Sequence, residues 1–319
     1  MAVWLNEADV RAVLDPAELI GTMESALAAF SSGEVVQPVR TALEMTDRSF
    51  FFVMPALCGG QGVMGSKLVT VVPENAGRGL HTHLAAIALF DSVTGELLAI
   101  MDGRYITEVR TAAVSAVSVR HLARKDARVL GILGSGVQAA SHLEALPCVR
   151  EFREVRVWSP TCANLTRFVA EHPGVVAAAS AEDAVRGADV VVVATSSATP
   201  AISSAWVSDG AHVIAIGASR PWQQELDPAL VARARLVVDS RAAALVEAGD
   251  IVRPIRDGLF GDDHVAAELG EVIAGSKPGR TRTDEVTLFK SLGLAVEDVA
   301  AAALVYRRAA QKKMGLTLT

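Results

Sequence analysis

The spacing of apolar residues changes twice along the chain, and each change marks a new kind of structure. Over residues 6–14 and 15–33 apolar positions recur every three or four residues, which predicts two helices. Asp15 is the expected cap of the second helix, Pro16 opens it, Glu18 completes a capping box, and Gly33 stops it. Residues 49–57, 63–72, 83–91 and 97–102 then read as strands, with Thr94-Gly95-Glu96 as a hairpin turn. A helix capped by Thr107 is expected over 107–122. From Arg128 onward short apolar runs alternate with helical segments, as in a parallel sheet covered on both faces. Strands are expected at 154–158, 188–194 and 212–216. A last helix over 297–313 ends in a basic tip, which suits a helix C-terminus.

The most informative stretch lies where strand gives way to helix, in Leu130-Gly131-Ile132-Leu133-Gly134-Ser135-Gly136-Val137-Gln138-Ala139. A strand, a glycine turn and a helix in that order form the context of a dinucleotide fingerprint. Gly134 allows the tight turn, Gly136 admits a pyrophosphate, and Ala139 lets helix and strand pack closely. Unpaired N–H groups at the start of the helix suit a phosphate. Gly134, Ser135, Gly136, Val137 and Gln138 are therefore candidate cofactor-binding residues.

Composition narrows the partners. The net charge of −6 and the lack of a long basic run argue against nucleic acid. No apolar stretch approaches the length of a membrane span, and the first residues lack the pattern of a signal peptide. Cys58, Cys148 and Cys162 are odd in number and have no metal-ligand spacing. No metal site is expected, and the reducing cytoplasm is the default compartment.

Four charged or titratable residues in the first third sit in unusual settings. In residues 63–72 one strand face carries Val63, Gly65, Lys67, Val69 and Val71. Lys67 is either an edge lysine reaching for water or an ammonium pointed into a site. Arg110 would fall in the first turn of the 107–122 helix, where the dipole disfavours a cation. Either an anion bound beside it or an exposed pair with Glu108 resolves that conflict. Arg40 reads by default as a surface residue. His83 is a structural group or a source of protons.

These segments, with others, carry a resemblance over nearly the whole chain. Gln37-Pro38-Val39-Arg40-Thr41, Ser66-Lys67-Leu68-Val69-Thr70, residues 106–116 and the glycine turn resemble the ornithine cyclodeaminase/mu-crystallin family. So do Gly217-Ala218-Ser219-Arg220-Pro221, Glu225-Leu226-Asp227, residues 267–273 and Phe289-Lys290-Ser291-Leu292-Gly293. Members include cyclodeaminases of ornithine and lysine, alanine and arginine dehydrogenases, and reductases of cyclic ketimines. The resemblance implies a nicotinamide cofactor, a small amino- or imino-acid substrate, and a substrate carboxylate held by Arg40, Lys67 and Arg110. It extends the expected cofactor set to Thr111, Thr195, Gly217, Ser219 and Lys290. It also implies a homodimer in which sheets of the first region pair into a barrel.

The expected fold class is α/β, a doubly wound parallel Rossmann domain beside an α+β substrate and dimerisation domain. The substrate domain is expected over 1–115 with the last helix, 295–319, and the NAD(P) domain over 116–294. Cyclodeaminases of the family carry an acid where this chain has Ser219. Ser219-Arg220-Pro221 instead resembles the mu-crystallin-like ketimine reductases. The expected activity is therefore NAD(P)-dependent reduction of a cyclic α-imino acid, with Lys67, Arg110, Ser219 and His83 as catalytic candidates. Ornithine cyclisation and a non-catalytic binding protein are the alternatives. After the expected strand at 154–158 comes Ser159-Pro160-Thr161, with no acid to accept from ribose hydroxyls or to repel a 2′-phosphate. NADP is thus favoured over NAD, with Ser159, Thr161 and Asn164 as its contacts.

Overall fold

The computed structural model describes residues 2–46, 48–195 and 197–318. Met1 and Thr319, the outer ends of the expected substrate domain, lie outside the described residues. The chain divides into two compact units, residues 1–111 with 293–319 and residues 112–292.

The first unit opens with β1 (Val3–Leu5), α1 (Glu7–Val13) and α2 (Pro16–Ser31). Asn6 and Asp9 form a capping box at α1. Asp15 caps α2 by accepting from the Glu18 N–H at 2.9 Å, with Pro16 in the first turn. The Glu18 carboxylate is bonded to Arg308, an interaction the short-range pattern could not show. β2 (Val35–Val36), β3 (Thr41–Thr46), β4 (Ser49–Cys58), β5 (Val63–Val71), β6 (His83–Asp91) and β7 (Leu97–Asp102) follow. β4 to β7 pair antiparallel in sequence, while β1 joins β7 in parallel.

α3 (Arg104–Leu122) begins three residues before the expected cap. Asp102 is the reason. Its Oδ1 accepts from the N–H groups of Arg104 and Tyr105 at 3.1 and 3.2 Å. Thr107 therefore lies inside the helix, its hydroxyl donating to the Gly103 carbonyl at 2.7 Å. Arg110 falls in the second turn, where the dipole no longer decides its placement.

The second unit contains β8 (Val129–Leu133), α4 (Val137–Ala145), β9 (Glu154–Trp158), α5 (Cys162–Glu171), β10 (Val175–Ala177), α6 (Ala181–Val185), β11 (Val190–Val193) and β12 (His212–Ala215). It continues with α7 (Pro228–Arg233), β13 (Arg235–Val238), α8 (Arg241–Glu247), α9 (Gly249–Arg256), β14 (Val265–Glu268), α10 (Leu269–Ile273) and β15 (Thr287–Lys290). Its strands are ordered β10-β9-β8-β11-β12-β15-β13-β14, and all pairs are parallel. Every residue of β8, β11 and β12 is buried, as continuous apolar runs covered on both faces require. Strand order reverses between β8 and β11, and in doubly wound sheets ligands bind at the carboxyl ends beside such a reversal.

The chain then re-enters the first unit as α11 (Ala295–Lys312) and ends in β16 (Leu316–Thr317) against β1. α11 lies on β4, β5 and α2, with Ala295 through Val305 buried. Gly65 lets it approach. A Cβ there would sit 2.6 Å from the Ala88 carbonyl oxygen and 3.3 Å from Val299 Cγ2. Gly65→Ala is expected to lower stability by about 1–3 kcal/mol through overpacking, read as a lower midpoint in thermal or urea unfolding. An unchanged midpoint would show that β6 and α11 can both give way without cost.

Candidate active site

Gly134 leaves β8 at φ 121°, a conformation suited to glycine, and an added Cβ would run into the Ala194 carbonyl beyond β11. Gly136 caps α4 without a side-chain hydrogen bond, and the space around its would-be Cβ is open. Ala139 is fully buried against the sheet. The first N–H groups of α4 are thus free of a side-chain cap at the positive end of the helix, the arrangement that holds a phosphate. Gln138 Oε1 is buried there without a hydrogen-bond partner, which marks a place for a donor. These features fit a dinucleotide.

Beyond β9, Ser159 is buried, whereas Thr161 and Asn164 at the start of α5 are exposed. Arg167 Nη2 reaches Asn164 Oδ1 at 3.5 Å. Thr111 is committed locally, its hydroxyl donating to the Thr107 carbonyl at 2.7 Å.

The loops after β11 and β12 are tied to one carboxylate. Glu225 Oε1 accepts from the N–H groups of Gly217 and Ala218 at 2.7 and 3.0 Å. Its Oε2 accepts from the N–H and hydroxyl of Thr195 at 3.3 and 3.1 Å. Lys290 Nζ stands 3.2 Å from Glu225 and 2.9 Å from Asp250, with all three side chains fully buried. Asp250 Oδ1 in turn accepts from the N–H groups of Glu225 and Leu226. Burial works against the Lys290 charge, but the two carboxylates outweigh it and raise its pKa. Burial also raises Glu225, opposed by Lys290. Lys290 thus stands behind the loops and fixes Glu225, while Glu225 shapes the segment that carries Ser219. Ser219 itself is half-buried, and its N–H donates to Gln223 Oε1 at 3.1 Å.

In the first unit Lys67 is no edge lysine. Its strand is paired on both sides, Lys67 facing Met54 on β4 and Ile87 on β6. Its side chain is 2% exposed, so it does not reach water. Its ammonium is 2.6 Å from Asp298 Oδ2 and 3.5 Å from the Thr107 hydroxyl. Arg110 donates to Asp298 Oδ1 at 2.9 Å and to Glu297 Oε2 at 2.6 Å. Glu108, the partner considered from spacing, is bonded to Arg104 instead. Cross-strand pairing puts Phe52, Met54, Lys67, Val69 and Ile87 on one face. The Arg40 guanidinium lies 5.2 Å from the centre of the Phe52 ring on that face, half-buried rather than freely solvated.

Electrostatics separates the titratable candidates. Burial pulls the Lys67 pKa down, Asp298 pulls it up and Arg110 opposes, leaving it at about 8. His83 is lowered to about 3 by burial and by the charges of Lys67 and Arg110. It is a neutral imidazole at any ordinary pH and stores no proton. Asp298 is disfavoured by burial, yet Arg110 and Lys67 keep its pKa below the usual carboxylate range. Glu297, Asp298 and Asp250 escaped sequence reasoning. The available signal for the first two was a pair of acids inside the otherwise apolar stretch 294–305. Among the described residues no cluster of His, Cys, Asp or Glu could hold a metal ion, and no helix is long and apolar enough to cross a membrane.

Comparison with known proteins places this geometry. The sequence pattern of the Ornithine cyclodeaminase/mu-crystallin family matches residues 2–313. The chain is 45% identical over 293 residues to the ketimine reductase mu-crystallin of Rattus norvegicus, covering 90% of this chain and 91% of that one. The structure of Thermococcus litoralis Δ1-pyrroline-2-carboxylate reductase with NADH and L-proline superposes with a TM-score of 0.96. The two are 35% identical, over 99% of this chain and 100% of that one. An archaeal alanine dehydrogenase dimer with bound NAD gives a TM-score of 0.94 at 36% identity, over 100% of this chain and 99% of that one.

Lys290→Met should leave Glu225 and Asp250 facing each other in the interior and cost about 3–5 kcal/mol near neutral pH. Glu225, with its folded pKa above the unfolded value, gains a proton more readily folded than unfolded, so part of that loss should return as pH falls towards about 5. Urea midpoints at the two pH values measure this, and equal losses at both would show that the ion pair does not carry the effect.

Proposed function

The chain belongs to the ornithine cyclodeaminase/mu-crystallin family, and on that premise we propose that it reduces a cyclic α-imino acid to the amino acid with NADPH. Reduction of C=N needs a hydride at carbon and a proton at nitrogen. The nicotinamide, when bound, supplies the hydride. The protein supplies the grip, the charge and the proton.

The observation that carries this reading is the pair of buried cations, Lys67 on the apolar face of β5 and Arg110 on α3, brought together on one carboxylate. A planar carboxylate is best held by a guanidinium fork with an ammonium beside it. Arg110 and Arg40 hold the substrate carboxylate, and Lys67 places positive charge near the imine nitrogen and delivers its proton. His83, neutral throughout, shapes the site instead of titrating in it. A hydride acceptor fixed in this way meets the geometric demand of the reaction.

Ser219 favours reduction over ornithine cyclisation. Cyclisation needs a group that engages a cationic amine. A hydroxyl can accept a hydrogen bond from it but supplies no countercharge and cannot take its proton as a carboxylate can. A substrate that arrives as an imine has no such need. NADP is favoured over NAD because β9 runs into Ser159-Pro160-Thr161 with no acid, and Arg167 lies beside Asn164.

The protein works as a homodimer in the cytoplasm. Leu57, Leu68 and Leu84 lie on the sheet face opposite Lys67 and are 38%, 41% and 44% exposed, an apolar surface that a second copy covers. Ser66 Oγ is buried on that face without a hydrogen-bond partner. All three cysteines are free, as in a reducing compartment. Light scattering should give twice the 33.4 kDa chain mass, and a monomer would end the dimer reading.

Purified protein should consume NADPH stoichiometrically with a five- or six-membered cyclic ketimine carboxylate. Proline formed from ornithine with only catalytic cofactor would reverse the assignment. Fluorescence titration should show tighter binding of NADPH than NADH, and the opposite order would overturn the cofactor preference. Lys67→Ala should lower kcat by about 100-fold or more, the scale of a lost general acid. Because it leaves buried carboxylates short of a cation, it should also lower the unfolding midpoint, so kcat is read well below that midpoint. A change in KM alone would leave Lys67 a binding residue only. Between about pH 6 and 9 the rate profile of His83→Gln should match the wild type in shape, because the imidazole is already neutral there.

A further inference from the structure

Lys67 and Arg110 come from different elements, β5 and α3, and end on the same carboxylate. Asp298 Oδ2 lies 2.6 Å from Lys67 Nζ, and Oδ1 lies 2.9 Å from Arg110 Nε. Asp298 is fully buried in the first turn of α11, where the helix dipole favours an anion. Packing alone gives no reason for it. Apart from Glu297, the other buried residues of α11 are Ala, Val and Leu.

We propose that Asp298 is a positioning residue for imine reduction, its two oxygens holding Lys67 and Arg110 at one spacing and keeping Lys67 an ammonium. This role rests on the reading that Lys67 serves the imine nitrogen. A lysine amine rides on a flexible four-carbon stem, and burial favours its neutral form. A carboxylate shared with a guanidinium removes both problems.

The groups that face Lys67 come from three elements. Asp298 and Glu297 on α11 favour its charge, Arg110 on α3 opposes it, and Thr107 on α3 offers a hydroxyl at 3.5 Å. His83 on β6 is neutral. Glu297 is bonded to Arg110, so its effect on Lys67 is mainly to offset that guanidinium. With Asp298 neutralised, the remaining balance turns against the ammonium, and Lys67 gives up its proton at lower pH.

The test is the pH dependence of kcat/KM for the ketimine at saturating NADPH, because kcat/KM reports the groups before the imino acid binds, the state to which the Lys67 value belongs. Wild type should lose activity as pH rises through about 8. Lys67→Arg, which does not titrate there, should lack that basic limb. Asp298→Asn should move the limb down by about one pH unit or more, roughly a fivefold loss at pH 8 that approaches tenfold at higher pH, with a smaller loss at pH 6. Asp298→Glu should return it towards the wild-type position. Asp298→Ser, smaller and able to admit water, is the second neutral variant if the amide disturbs the fold, with circular dichroism as the check. An unmoved limb in a folded neutral variant, an equal shift in Asp298→Glu, or a limb that persists in Lys67→Arg overturns the role. A wild type that reduces no cyclic imino acid refutes the functional reading and this role with it, whereas an active wild type with an unmoved limb refutes the role alone.

Discussion

A charge taken out of water must find its counterion in the interior, because the desolvation of each ion costs several kcal/mol that only close, well-bonded partners offset. Both units are arranged around this constraint. In the second, Lys290 lies between Glu225 and Asp250, and through Glu225 the same contacts fix the backbone at Thr195, Gly217 and Ala218. In the first, Lys67 and Arg110 are matched by Glu297 and Asp298. Charge that would otherwise weaken the fold has become the means by which its working segments are held.

The two clusters differ in what they leave available. Glu225 accepts four hydrogen bonds besides its ion pair, so its oxygens are fully engaged in structure. The first-unit cluster joins two cations and two carboxylates, and the cations are the kinds that recognise a carboxylate. A countercharge for an ammonium is a different requirement, and Ser219 with its neutral hydroxyl does not supply one. The chemistry of reduction therefore suits the residues present better than the chemistry of ring closure.

What could be read from the sequence was what short-range pattern encodes. The strand–glycine–helix passage at residues 129–145 declared itself, since Gly131 and Gly134 answer local steric demands and Gly136 leaves open space at the helix start. The alternation around Lys67 was equally plain, and it placed the ammonium on the apolar face where it lies. Two features defeated such reading. Asp102, at the end of a strand, captures the N–H groups of Arg104 and Tyr105 and starts α3 early, which takes Thr107 inside the helix. The partners of Lys67 and Arg110 lie nearly two hundred residues or more away in sequence, and no periodicity links such distant positions. Glu297 and Asp298 stand in the first turn of α11, where acids match the helix dipole, so their position alone did not mark them out.

The run of four valines in β11 has a consequence for assembly. Strand register is ordinarily enforced because a one-residue slip turns polar groups inward. A strand of identical residues buried on both faces carries no such penalty, so it cannot specify its own alignment against β8 and β12. Nor does it contain a charge or proline to discourage pairing with another copy of itself while exposed. The information must come from its neighbours, where the close approach of Gly131 to Ala188 and of Gly134 to the end of β11 admits one alignment. Refolding from denaturant exposes the valine segment before those neighbours are in place, which leaves it open to aggregation.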